Sequence, residues 1–156
     1  MSNGLGALTA LSPLDGRYAA KVDLLRPHFS EFGLIHARLR VEIEWLKALA
    51  ADPHFTEIPA FSPATIAELD GLVNNFTASD AAEVKGIEAT TNHDVKALEY
   101  WIKDKTKANA QVTKVSEFIH FACTSEDINN LSHALMCKGA REQVMLPVLD
   151  LSLIHI

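Results

Sequence analysis

The stretch His120-Phe121-Ala122-Cys123-Thr124-Ser125-Glu126-Asp127-Ile128-Asn129-Asn130 marks where a short apolar run (Val115, Phe118, Ile119, Ala122) gives way to a long helical pattern. Thr124 followed three residues later by Asp127 is a capping-box signal, with aspartate in place of the commoner glutamate. A helix start leaves backbone N–H groups unpaired and carries the positive end of the peptide dipoles, so it suits a carboxylate or a phosphate. Thr124 and Ser125 add two hydroxyls at that point, and His120 lies one turn upstream. A plainer account covers the same residues: Thr124 only caps its helix and His120 is a packed histidine.

Working outward, the pattern after Ile128 continues through Leu131, Leu135, Met136, Ala140, Val144 and Leu146 as one long helix, tolerating Gly139 and kinking or restarting at Pro147. Upstream, Ser30 opens a helix to about Ala51. Its first apolar stripe is Ile35, Leu39, Ile43 and Leu46, and Leu34, Ala37, Val41, Trp45 and Ala48 form the adjoining one. Glu31, Arg38, Glu42 and Lys47 are assigned to the opposite, polar side. Ser62-Pro63 starts a further helix, Ser79-Asp80 caps the next, with Ala82, Val84 and Ile87 inward, and Val95, Leu98, Trp101 and Ile102 mark another after Asn92-His93-Asp94. Lys103 to Lys107 and Asn109-Ala110-Gln111 read as a solvated connection and the best internal boundary. Near the N-terminus, Ser12-Pro13-Leu14-Asp15-Gly16 is a turn, followed by Arg17-Tyr18 and a short helix stopping before Pro27. No strand alternation, metal-ligand spacing, Gly-rich phosphate loop or nucleophile elbow stands out, so the expected fold class is all-α.

The chain has 156 residues, 48% of them apolar and 22% charged, which is ordinary for a globular protein with a real core. A net charge of −6 without a basic cluster gives no ground for nucleic acid or an anionic membrane as partner. Cys123 and Cys137 read as reduced thiols, and the expected location is the cytoplasm.

Three segments carry a resemblance: Ser12-Pro13-Leu14-Asp15-Gly16-Arg17-Tyr18, Thr90-Thr91-Asn92-His93-Asp94-Val95-Lys96, and Ser116 through Asn130. In this order and at these distances they resemble the N-terminal part of the adenylosuccinate lyase family, of the bacterial purine-biosynthesis type, within the fumarase/aspartase superfamily. The resemblance spans residues 7–150 and implies a lyase that eliminates fumarate from adenylosuccinate and from the succinyl-carboxamide ribotide. It implies that Arg17 and Tyr18 contact a nucleotide dicarboxylate substrate, that Asn92, His93 and Asp94 lie along it with His93 catalytic, and that Thr124 and Ser125 hold a succinyl carboxylate. His120 matches a histidine of the family that approaches the phosphate. No cofactor and no metal is implied, and the full-length assembly implied is a homotetramer.

The family's later catalytic histidine, in a Thr-His-Gly-Gln-type segment, and its base serine, on a Ser-Ser-x-Met-Pro-type loop, have no match in residues 1–156. The expected organisation is therefore a small helical N-terminal domain over 1–111 and the first long helix of a truncated central bundle over 112–150, with no lyase activity from this stretch alone. Leu151-Ser152-Leu153-Ile154-His155-Ile156 lacks a polar face and reads as a non-native tail. Two rival readings are another superfamily lyase, such as argininosuccinate lyase or fumarase, and a non-catalytic helical interaction module.

Overall fold

A computed structural model describes residues 7–154, and among these it is helical throughout, with no strand. Two turns wind residues 12–18: the N–H groups of Asp15 and Gly16 both reach the Ser12 carbonyl at 3.0 Å, and the Tyr18 N–H reaches that of Pro13 at 2.9 Å. Single 3-10 turns at Ala19–Lys21 and Asp23–Leu25 follow, then the short helix α1 (Arg26–Phe29). The helix expected to stop before Pro27 is thus replaced by 3-10 turns, and Pro27 lies in the first turn of α1. There its missing N–H leaves no bond unmade.

The long helix α2 (Glu31–Ala51) starts where expected, with Ser30 Oγ accepting the Gly33 N–H at 3.2 Å. Ile35, Leu39, Ile43 and Leu46 are buried as the stripe requires. The assignment of Arg38 and Glu42 to a solvent face is overturned, because both are buried. The physical reason is that α2 is the axis of the fold. Helices α3 (Pro63–Asn74), α4 (Ala78–Thr91) and α5 (Asp94–Thr106) pack on one side of it. The short α6 (Ala110–Lys114) leads to α7 (Ser125–Ala140), which packs along α2 and takes Arg38 and Glu42 out of solvent. The polar side chains there are matched by partners instead.

Local chemistry sets the ends of the other helices. Ser62 Oγ caps α3 through the Thr65 N–H at 3.2 Å, as its Ser-Pro start implies. Helix α4 begins two residues earlier than expected: Thr77, not Ser79, is the cap, in a reciprocal box with Asp80. This turns Ala81 inward and leaves Ala82 exposed. The expected solvated connection at Lys103–Lys107 is mostly the last turn of α5, ending in a buried Thr106 whose hydroxyl donates to the Ile102 carbonyl at 2.8 Å. Lys103 pairs with Glu117 and Lys105 with Glu83, which tolerates the lysine run without unwinding it. At its far end α7 passes through a π turn (Arg141–Met145), with the Leu146 N–H bonded to the Arg141 carbonyl five residues back, before α8 (Leu146–Ile154). Pro147 sits in the first turn of α8, so the wide turn absorbs the site where a kink was expected. Among the described residues no helix is long and apolar enough to cross a membrane.

The corner between α1 and α2 is tight. A Cβ built on Gly33 would lie 2.6 Å from the carbonyl oxygens of both Pro27 and His28. Gly33→Ala should therefore destabilise the fold by about 1–3 kcal/mol from overpacking, against a helix-propensity gain of only about 1 kcal/mol. A thermal melt showing a net rise in Tm would contradict this.

Candidate functional site

The loop that leads into α7 is bent by two left-handed residues, His120 at φ 64° and Ala122 at φ 58°. A β-carbon makes this conformation unfavourable, so the surroundings must hold it, and such strain is found at functional sites. Two side chains of α2 do the holding. The Trp45 indole N–H donates to the Phe121 carbonyl at 2.9 Å, and the Glu42 carboxyl lies 2.6 Å from His120 Nδ1. Burial pushes the Glu42 carboxyl above its usual range, outweighing the His120 contacts that pull it down. Burial likewise raises the Cys123 thiol, with Glu42 and Asp127 adding to it.

At the start of α7, the expected capping box is present. Thr124 Oγ1 accepts the Asp127 N–H at 3.4 Å, and the Thr124 N–H donates to Asp127 Oδ2 at 2.7 Å. The Thr124 backbone N–H, then its hydroxyl, holds the Asp127 carboxylate below the usual range. Thr124 therefore spends its hydroxyl on the cap, donating to the same Asp127 oxygen at 2.9 Å. Ser125, half-buried at the first helical position, makes no hydrogen bond through its hydroxyl among the described residues.

The second segment is built the same way. Asn92 closes α4 in the left-handed conformation at φ 51°, which a short amide side chain tolerates. His93 then caps α5 with its own ring: Nδ1 accepts the Lys96 N–H at 3.2 Å. An accepting Nδ1 carries no proton, so the neutral ring bears its proton on Nε2. The histidine ring itself is thus the cap of α5. Asp94 is fully engaged, with Oδ1 accepting the Val95 N–H at 2.8 Å and Oδ2 lying 2.6 Å from Arg38 Nη2. Burial would raise its carboxyl, but the Val95 N–H and the Arg38 charge outweigh that and leave it below the usual range.

Arg38 is the residue that sequence reasoning missed. Besides Asp94 it donates from Nε to Asn129 Oδ1 at 2.9 Å, so one guanidinium ties the start of α5 to the first turns of α7. Val41, Val95 and Ile128 form a small buried cluster beside it, with Cys123 packed on the edge.

The second and third segments are thereby brought together, and the first is not. Arg17 stacks its guanidinium over the ring of its neighbour Tyr18, 4.5 Å from the centroid, and bonds its hydroxyl. Among the described residues no hydrogen bond or ion pair runs from this pair to the other two segments. A cavity of about 790 Å³ is an apolar groove between α2 and α7 lined by Val41, Trp45, Cys123, Ile128 and Leu131, and none of the candidate site residues lines it. Among the described residues no group of three His, Cys, Asp or Glu side chains converges as a metal site.

Beside this all-helical fold with polar helix starts tied across a long central helix stands a match in sequence: the family model described as "Lyase" matches residues 16–154, and the chain belongs to that family. Its curated relatives carry a more particular name. Adenylosuccinate lyase of Haemophilus influenzae is 61% identical over 143 residues, which is 92% of this chain and 31% of the relative. Those of Escherichia coli K12 and Vibrio cholerae are each 57% identical over the same shares. The chain thus spans about a third of the length of the curated relatives it matches.

The Arg38 pair can be tested by pH. Arg38→Leu should cost about 2–4 kcal/mol, at the low end because Asp94 is 42% exposed, and thereby lower Tm by several degrees. Because the folded-state Asp94 carboxyl is held low, the pair's contribution is complete above about pH 4 and is lost as pH falls further. The gap in melting temperature between wild type and variant should close on acidification; a gap that widens would contradict the assignment.

Proposed function

We propose that this chain forms the N-terminal part of an adenylosuccinate lyase, in which its polar helix starts hold the dicarboxylate end of a nucleotide substrate while fumarate is eliminated. The observation that carries the reading is the Arg38 bridge, which joins the helix start bearing His93 to the helix start bearing Thr124 and Ser125. The shares of identity with the three adenylosuccinate lyases support it.

The reaction removes a proton from the carbon beside a carboxylate, breaks the bond from the neighbouring carbon to nitrogen, and forms the double bond of fumarate. The electron pair of the broken bond leaves with the nitrogen, which takes up a proton to become the amino group of AMP. Charge builds on the carboxylate as its neighbouring proton leaves, so fixed donors there lower the barrier. The Ser125 hydroxyl and the Ser125 and Glu126 N–H groups at the start of α7 supply such donors, with Thr124 fixing the helix start. His93, with its Nε2 proton outward, serves as a donor near the departing nitrogen rather than as a base. Asn92 lies alongside, and Asp94 acts through Arg38 to fix the backbone under His93. Arg17 and Tyr18 form the nucleotide clamp and His120 meets the phosphate.

In the proposed full-length enzyme, a homotetramer brings the Arg17-Tyr18 turn of one subunit to the helix starts of another. Residues 1–111 then belong to the first domain and 112–150 to the central bundle, residues 151–156 being a non-native tail, and no cofactor takes part. The proposed setting is purine and AMP biosynthesis in the cytoplasm.

The test is a chimera in which residues 7–150 replace the matching first third of the Haemophilus influenzae relative. It should release fumarate from adenylosuccinate, and Ser125→Ala and His93→Asn should each lower kcat by about 10²–10³ with Tm retained. A folded chimera of the relative's own oligomeric state that releases no fumarate would overturn the reading, as would full activity in both variants.

A further inference from the structure

We infer that Glu42 is the positioning residue of His120: it commits ring nitrogen Nδ1, so that Nε2 alone, bearing a proton, is offered to an anionic group of a ligand. The Glu42 side chain is fully buried in the middle of α2, and its Oε1 stands 2.6 Å from His120 Nδ1. Its other oxygen has no hydrogen-bond partner, so His120 alone compensates this carboxyl for the water it has lost. The other ring nitrogen is placed differently. Nε2 makes no hydrogen bond among the described residues and is not among the buried unpartnered atoms, so it opens to solvent.

The loop is shaped around this contact. His120 takes a left-handed φ of 64° to lay its ring against α2, and Trp45, nearly one turn beyond Glu42, holds the next carbonyl. A histidine that only filled space would need neither the strained backbone nor an acid with nothing else to bond.

A proton count gives the state of the exposed nitrogen. A buried pair avoids net charge, because each uncompensated charge costs several kcal/mol of lost hydration. One carboxyl and one imidazole without net charge exist in two forms: carboxylate with imidazolium, or carboxylic acid with a neutral ring protonated at Nε2. Only the location of the shared proton differs, and Nε2 carries a proton in both. The surroundings act in the same direction. Burial pushes the Glu42 carboxyl up and the charge of Glu99 on α5 adds to it. Glu99 is itself paired with Lys96 at 2.8 Å, Arg38 one turn away is already matched by Asp94, and Asp127 on α7 and the Cys123 thiol complete the groups that face the pair.

This deepens the role proposed above for His120 and rests on it only for the identity of the anion, a nucleotide phosphate. The experiment uses the whole 156-residue chain, labelled with ¹⁵N, and inorganic phosphate as probe. The expected spectrum has a low-field proton shared between Glu42 and His120 Nδ1, and Nε2 is the ring nitrogen that moves as phosphate is added. Glu42→Leu should remove the low-field proton and weaken the phosphate response at Nε2 by about tenfold, as a charge-assisted donor becomes an ordinary one. Glu42→Gln, which keeps a hydrogen bond without the charge, should retain part of both signals, and it carries the comparison if circular dichroism shows that the leucine variant does not fold. A phosphate response at Nδ1, no response at Nε2, or an unchanged response in a folded Glu42→Leu chain would overturn the inference. Turnover plays no part in these spectra, so a failure here and a failure of the chimera assay are separate results.

Discussion

A guanidinium that has lost its water must be met by oxygens from the protein, and Arg38 meets that demand with one oxygen from each of two helix starts. Asp94 belongs to the first turn of α5 and Asn129 to the second turn of α7. Neither segment is adjacent to the other in sequence, so contacts from α2 must hold them together. The bridge sets their angle, and Val41, Val95 and Ile128 close over the remaining space beside it.

Arg38 is the first of three polar side chains along one line of α2. Glu42 and Trp45 follow at successive turns, and each reaches a different point of the strained loop before α7 or of the helix itself. A helix surrounded by apolar contacts can be rotated or slid with little penalty until its polar groups are placed. Three directed contacts remove that freedom. The left-handed backbone at His120 and Ala122 is sustained by them.

The fold was legible where a side chain's role depends on its own helix. Ser30, Ser62 and the Thr124–Asp127 pair start helices where the sequence placed them, and the Leu39–Ile43–Leu46 stripe lies in the core. It was illegible where the role depends on a neighbour from elsewhere in the chain. Arg38 and Glu42 have the periodicity of an outer face, and only the arrival of α7 against α2 makes them interior. Pro27 and Lys103–Lys107 misled for a related reason: each is unfavourable to a helix in the abstract and acceptable at the particular turn it occupies. For the site, the residue types were visible but their division of labour was not. Nothing in Asn92-His93-Asp94 says that the ring caps the helix while the carboxylate faces inward.

The π turn at Arg141–Met145 gives the long C-terminal helix a property its sequence period hides. Ile128, Ser132, Met136 and Ala140 repeat every four residues and all face α2. One residue inserted into the winding advances everything downstream by roughly 100° about the axis. Leu149 therefore lies in a different angular sector from the seam that precedes it. The helix works as a camshaft with two lobes set out of phase: the first half presses on α2, and the exposed Leu146, Val148 and Leu149 of the second are turned to another direction.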